Sequence, residues 1–166
     1  MSFAEFLHEN ETALLSRWTD LVLSTYPKES RPFLEGKDRF ANPLGYNLTQ
    51  GLRQIYRKLR GEDGDAGPWL EQMMKIMALQ DESPSQALGF LFALKDLVAE
   101  RSGGQDVGEI AAWAAGVDAL ALAGFDFYVA SRERLFKARL RELESGNYLV
   151  TRHGCPSGLL DKKLNP

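Results

Sequence analysis

Met73, Met74 and Met77 beside Trp69 are the side chains of this sequence best suited to touching another molecule. Thioethers and an indole give a soft, polarisable surface that adapts to an apolar ligand or to a partner's groove. A pocket built on Trp69, Met73 and Met77 would be completed by Trp18 or Phe92 from other helices; the simpler reading of the same residues is core filling. Glu5, His8, Glu9 and Glu11 sit within two turns of one helix and could be proposed as metal ligands, but a Glu-rich first helix is ordinarily a solvated face. His153-Gly154-Cys155 brings two soft donors together, and two ligands do not close a tetrahedral site. Lys37, Asp38, Arg39 and Asn42 form a polar group in which Asn42 is already explained as a helix cap. The sequence has no glycine loop to cradle phosphate, no Gly-x-Ser-x-Gly and no Ser/His/Asp set. Neither catalysis nor a metal nor a cofactor is therefore expected.

The chain that must position these residues is 166 residues long, 44% hydrophobic and 26% charged, which suits one globular domain. Cys155 is the only cysteine, so no internal disulfide forms, and the start Met1-Ser2-Phe3-Ala4-Glu5 lacks the basic and apolar runs of a signal peptide. A cytoplasmic location is expected. The net charge of −3 is uneven, since residues 131–166 hold 8 basic and 4 acidic residues while the rest of the chain is net −7. An acidic body lacks the basic stripe that releases counterions from phosphate, which argues against nucleic acid as a partner. The basic end could touch an acidic protein, although its alternation of Arg and Lys with Glu133, Glu142 and Glu144 is also how a solvated helix face reads.

Periodicity predicts helices throughout. Ser2-Phe3-Ala4-Glu5 fits a capping box, and Phe3, Phe6, Leu7, Leu14, Trp18, Leu21 and Val22 continue one amphipathic helix to just before Pro27. Residues 27–42 read as loop with a short turn at Phe33 and Leu34. Asn42-Pro43, Pro68 and Ser83-Pro84 each open a further helix, the third carrying Ala87, Leu88, Leu91, Phe92, Leu94 and Val98 to a stop at Ser102-Gly103-Gly104. Asp106 to Glu109 looks like a second capping box, after which no proline interrupts the pattern until about Glu144, giving a helix on the order of 55 Å long. The longest alternation of strand type is Asn147 to Thr151.

That last helix carries two apolar stripes. Ile110, Trp113, Ala114, Val117, Ala121, Gly124 and Tyr128 should face the domain's own core. Ala111, Ala115, Leu122, Phe125, Val129, Phe136 and Leu140 form the second, with Asp118 and Arg132 on the same seam at steps of three and four. A helix apolar on two sides must be covered on two sides, so the second stripe is expected to meet its symmetry mate in a homodimer. The alternative is a fully buried helix in a monomer. Asp118 and Asp126 would each cost roughly 2.5–3.5 kcal/mol near a bilayer centre, which argues against membrane insertion.

The helix order, with Leu14-Leu15-Ser16-Arg17-Trp18-Thr19-Asp20, Thr25-Tyr26-Pro27 and Lys37-Asp38-Arg39-Phe40-Ala41-Asn42-Pro43-Leu44-Gly45, resembles the amino-terminal domain of RsbR-type stressosome proteins, the RsbRD amino-terminal domain, over residues 3–144. The resemblance implies a globin-like, all-helical fold that dimerises, holds no haem and sends a long last helix to an output domain. Trp69 to Gln80, where an axial histidine would lie, contains none. Only 22 residues, 145–166, follow the long helix, too few for the STAS output domain of longer members, so a stand-alone domain with a carboxy-terminal tail is expected. The expected function is a non-catalytic sensory or regulatory homodimer that signals by contact with a protein partner. The alternatives are a small-molecule carrier using the Met/Trp pocket and an accessory subunit of a larger complex.

Overall fold

The structure is a computed structural model that describes residues 1–26, 28–29, 31–34, 42–80 and 82–152. Every regular element among these residues is helical: α1 Phe3–Glu9, α2 Glu11–Ser24, α3 Arg31–Leu34, α4 Pro43–Leu59, α5 Gly67–Leu79, α6 Pro84–Arg101 and α7 Val107–Arg152.

The punctuation follows local chemistry. Ser2 Oγ accepts from the Glu5 amide while the Glu5 carboxylate accepts from the Ser2 amide at 2.8 Å, so the expected capping box forms. The single first helix that periodicity predicts is instead broken at Asn10 (φ −94°, ψ 3°), whose side-chain amide donates to the Phe6 carbonyl at 2.9 Å. Asparagine offers its neighbours a competing hydrogen bond, and the chain turns there. Asn42 Oδ1 accepts from the Gly45 amide at 2.9 Å and Pro43 takes the first turn of α4. Ser83 and Gln86 close a capping box on α6, and Gly104 at φ 88° makes the turn that follows Ser102.

The box expected at Asp106 is half made. Asp106 Oδ1 caps the Glu109 amide at 2.9 Å, but the Glu109 carboxylate accepts from the amide of Phe3, 106 residues away, at 2.9 Å. The Phe3 ring stacks on Phe6 at 5.7 Å and meets the Trp113 ring edge-on at 5.8 Å, so the start of α1 is seated on the start of α7.

The chain divides into two compact units, Met1–Ser131 and Arg132–Pro166. In the first, α2 packs on α4 and α6, and α4 on α5. Trp18, Leu52, Leu70 and Leu91 are fully buried at the centre, with Trp18 donating its indole N–H to the Phe90 carbonyl at 2.6 Å. The α7 stripe of Trp113, Val117, Ala121 and Tyr128 is buried in this core. Gly124 allows the close approach, since a Cβ there would stand 2.7 Å from a Leu88 methyl. In the second unit, α7 continues to Arg152 rather than ending near Glu144, and the alternation of Asn147 to Thr151 is helical. A lone extended segment would leave its backbone groups unpaired, whereas helix continuation pairs them.

Candidate functional site

α7 presents the second stripe to solvent. Ala111 and Ala115 are exposed, as are Leu122 at 71%, Phe125 at 45% and Val129. Within the Arg132–Pro166 unit, Phe136 at 63%, Leu140 and Leu143 are exposed too. Scattered apolar side chains are normal on a surface, but six large ones at helical spacing on one element are not.

α6 adds to the upper part of this face. Phe92, expected beneath α6 with Leu91, is 45% exposed, and Phe90 takes its place in the core against Trp18, ring centroids 5.9 Å apart. On a helix, position 92 lies one step of about 100° beyond Leu91, which turns it out of the interior. Lys95 bridges the two helices, its ammonium 2.8 Å from Asp118 and 5.8 Å over the Phe92 ring. The contact of Gly124 with Leu88 and that of Asp118 with Lys95 run the helices antiparallel, so Phe92 stands beside the stretch between them. Phe92 thus belongs with Leu122 rather than with a pocket.

Of the residues expected to line a Met/Trp pocket, most lie in the core. Trp18, Met73 and Met77 are buried, and Met73 Sδ lies 2.7 Å from where a Gly51 Cβ would be. Trp69 is half-buried. Met77 does line a cleft of about 280 Å³ with Val22, Tyr26, Glu82, Gly89 and Phe90, residues that periodicity did not single out for binding. A second, polar groove of about 390 Å³ lies between α2 and α4, lined by Glu11, Ser16, Asp20, Thr49 and Arg53 among others.

Two of the three carboxylates near His8 in sequence are engaged by other groups. Glu5 caps α1, its pKa lowered by the Ser2 amide and hydroxyl, and Glu11 pairs with Arg60, which also approaches Glu62 and lies 2.9 Å from His8 Nδ1. Two phenols are held above their ordinary range. Burial raises Tyr26, with the Glu82 charge adding to it, and burial raises Tyr56, whose hydroxyl donates to the Leu7 carbonyl at 2.7 Å. Lys37, Asp38, Arg39, His153 and Cys155 lie outside the described residues.

The described residues thus form an all-helical domain whose last helix carries an exposed apolar face. A family model described as the RsbT co-antagonist protein rsbRD N-terminal domain matches residues 12–143. The chain belongs to this family, the amino-terminal domains of RsbR-type stressosome regulators. Neither the curated proteins nor the solved structures include a match to it.

Proposed function

We propose that the protein is a non-catalytic, cytoplasmic regulatory domain, globin-like and without haem, that works as a homodimer through the exposed face of α7 and signals by protein contact from residues 131–166. The observation that carries the reading is the uncovered row of Leu122, Phe125 and Val129, continued in sequence by Phe136, Leu140 and Leu143. Covering a large apolar side chain contributes roughly 1.5–3 kcal/mol, so a second copy bringing the same row would gain several such terms. Family membership supports the regulatory part.

α7 is long and apolar enough to cross a membrane by length and composition alone. Against that use, the helix buries Trp113, Val117 and Tyr128 among α1 to α6, and Asp118 is paired with Lys95. Leaving for a bilayer would empty this core and break the pair.

Native mass spectrometry with sedimentation velocity tests the reading. The wild type is expected as a dimer without retained small molecule, and a Leu122→Glu/Phe125→Glu chain as a monomer with unchanged helical circular dichroism. A wild type that stays monomeric at tens of micromolar would sink the dimer.

A further inference from the structure

Gly89 is a residue without a packing reason. Within a helix a glycine costs about 1 kcal/mol relative to alanine, and the buried helical glycines offset this by close approach. A Cβ on Gly45 would strike the Leu34 carbonyl, and on Gly51 or Gly124 it would come within 2.7 Å of Met73 or Leu88. A Cβ on Gly89 would meet nothing within 4 Å, because Gly89 borders the 280 Å³ cleft between the end of α2 and the start of α6.

The cleft has two ends of different character. Val22, Met77, Ala87 and Phe90 wall it with apolar surface, and Leu21, exposed, forms a lip. The polar end offers mostly acceptors. Ser24 and Thr25 spend their hydroxyl protons on the Leu21 and Val22 carbonyls at 2.6 and 2.7 Å, leaving oxygen lone pairs. Glu82 contributes a carboxylate that is half-buried and has no ion-pair partner among the described residues. Tyr26 adds a phenol, and Gln86, whose amide oxygen is held by Ser83, adds one NH₂ donor. Among the described residues no lysine, arginine or histidine lines the space. The carbonyls that end α2 carry partial negative charge, part of which the Arg31 guanidinium takes up by donating to the Ser24 and Tyr26 carbonyls at 3.0 and 3.4 Å.

We infer that this cleft is a binding site for a small primary amine with an apolar body, the body lying along Gly89 and Phe90 and the ammonium on the Glu82 carboxylate. The Glu82 carboxylate, with hydroxyl acceptors beside it, favours a cation over an anion there. The Tyr26 phenol, neutral at ordinary pH and side-chain hydrogen-bonded with Gln80, keeps a lone pair that can accept from an ammonium. The inference does not depend on the regulatory reading, since binding is measured on the isolated chain whether or not it dimerises.

The test is a titration of the full chain, followed by backbone amide resonances, with three probes of one shape: 2-phenylethylamine, 2-phenylethanol and 3-phenylpropionate. Saturable shifts centred on Tyr26, Gly89 and Phe90 are expected for the amine, with affinity about tenfold above the alcohol's, the margin of a charge-assisted over a neutral hydrogen bond. The carboxylate should not bind. Glu82→Gln should bring the amine down to the alcohol's affinity without disturbing the fold, because Tyr128 holds Glu82 through its backbone carbonyl and not its side chain. Gly89→Leu should fill the cleft and abolish binding of both probes while the melting temperature holds or rises. Equal affinity for amine and carboxylate would overturn the inference, as would binding that survives Gly89→Leu or shifts that never saturate.

Discussion

Single atoms decide several positions in this domain. At Gly45 the backbone of α4 lies so close to the Leu34 carbonyl and the Asn42 amide that there is no room for a methyl group, and neither neighbour can move without breaking the cap of α4. Gly45→Ala should therefore destabilise by about 1–3 kcal/mol, the range of an overpacked site. Gly89→Ala should do the opposite, raising stability by about 1 kcal/mol through helix propensity alone. Urea unfolding of the two variants side by side checks both signs.

Tyr56 gives a second prediction at this scale. Burial is the main cause that lifts its phenol above the ordinary value of 10.0, with the Glu11 charge acting the same way and Arg60 against it. The folded chain then holds this proton more tightly than the unfolded chain. Its contribution to stability is intact below about pH 10 and is lost as pH rises from there through the higher folded value. Urea midpoints should fall above pH 10, and fall less steeply in Tyr56→Phe. At neutral pH that variant should lose about 1 kcal/mol with the bond to Leu7.

Among the elements, helix starts were legible because they are written in side chains next to the backbone they satisfy. Ser2, Asn42 and Ser83 each cap where their spacing says they should. Asn42→Ala is expected to cost about 1 kcal/mol, read as a drop in the thermal midpoint with little change in helical signal at 20 °C. What the spacing could not show was partnership at a distance. Nothing local in Glu109 says that its carboxylate belongs to Phe3, and nothing local in Phe90 and Phe92 says which of two aromatic residues faces Trp18. The two stripes of α7 were legible for the converse reason. A single helix reports its own faces through a 3.6-residue period, and the stripe of Trp113, Val117 and Tyr128 is the buried one. The cleft at Gly89 was not legible, since α2, α5 and α6 contribute to it from segments some 70 residues apart.

For the molecule as a whole, the Arg132–Pro166 unit and the Met1–Ser131 unit differ in how much they bury. Among the described residues the first unit holds every residue of the core, while from Arg132 to Gly146 all side chains are exposed except the half-buried Leu135. A chain ending at Glu144 keeps every described residue of the core and should therefore keep its cooperative unfolding, with a free energy close to that of the full chain. On the proposed reading it should also lose capture of its protein partner. Differential scanning calorimetry checks the first outcome, and pull-down with wild-type and shortened chains the second; a shortened chain that still captures the partner would place the output elsewhere.

The hydrogen bond from Phe3 to Glu109 also sets a clock. The two groups are separated by 106 residues, so at synthesis rates of about 5–20 residues per second the first helix exists for roughly 5–20 s before its seat on the last one has been made. Through that interval Phe3 and Phe6 have no Trp113 to rest on, and the domain can close only when nearly all of it has been translated. The seating of α1 on α7 therefore waits until Glu109 and Trp113 have been made, and a chain cut short before them leaves its first helix without that seat.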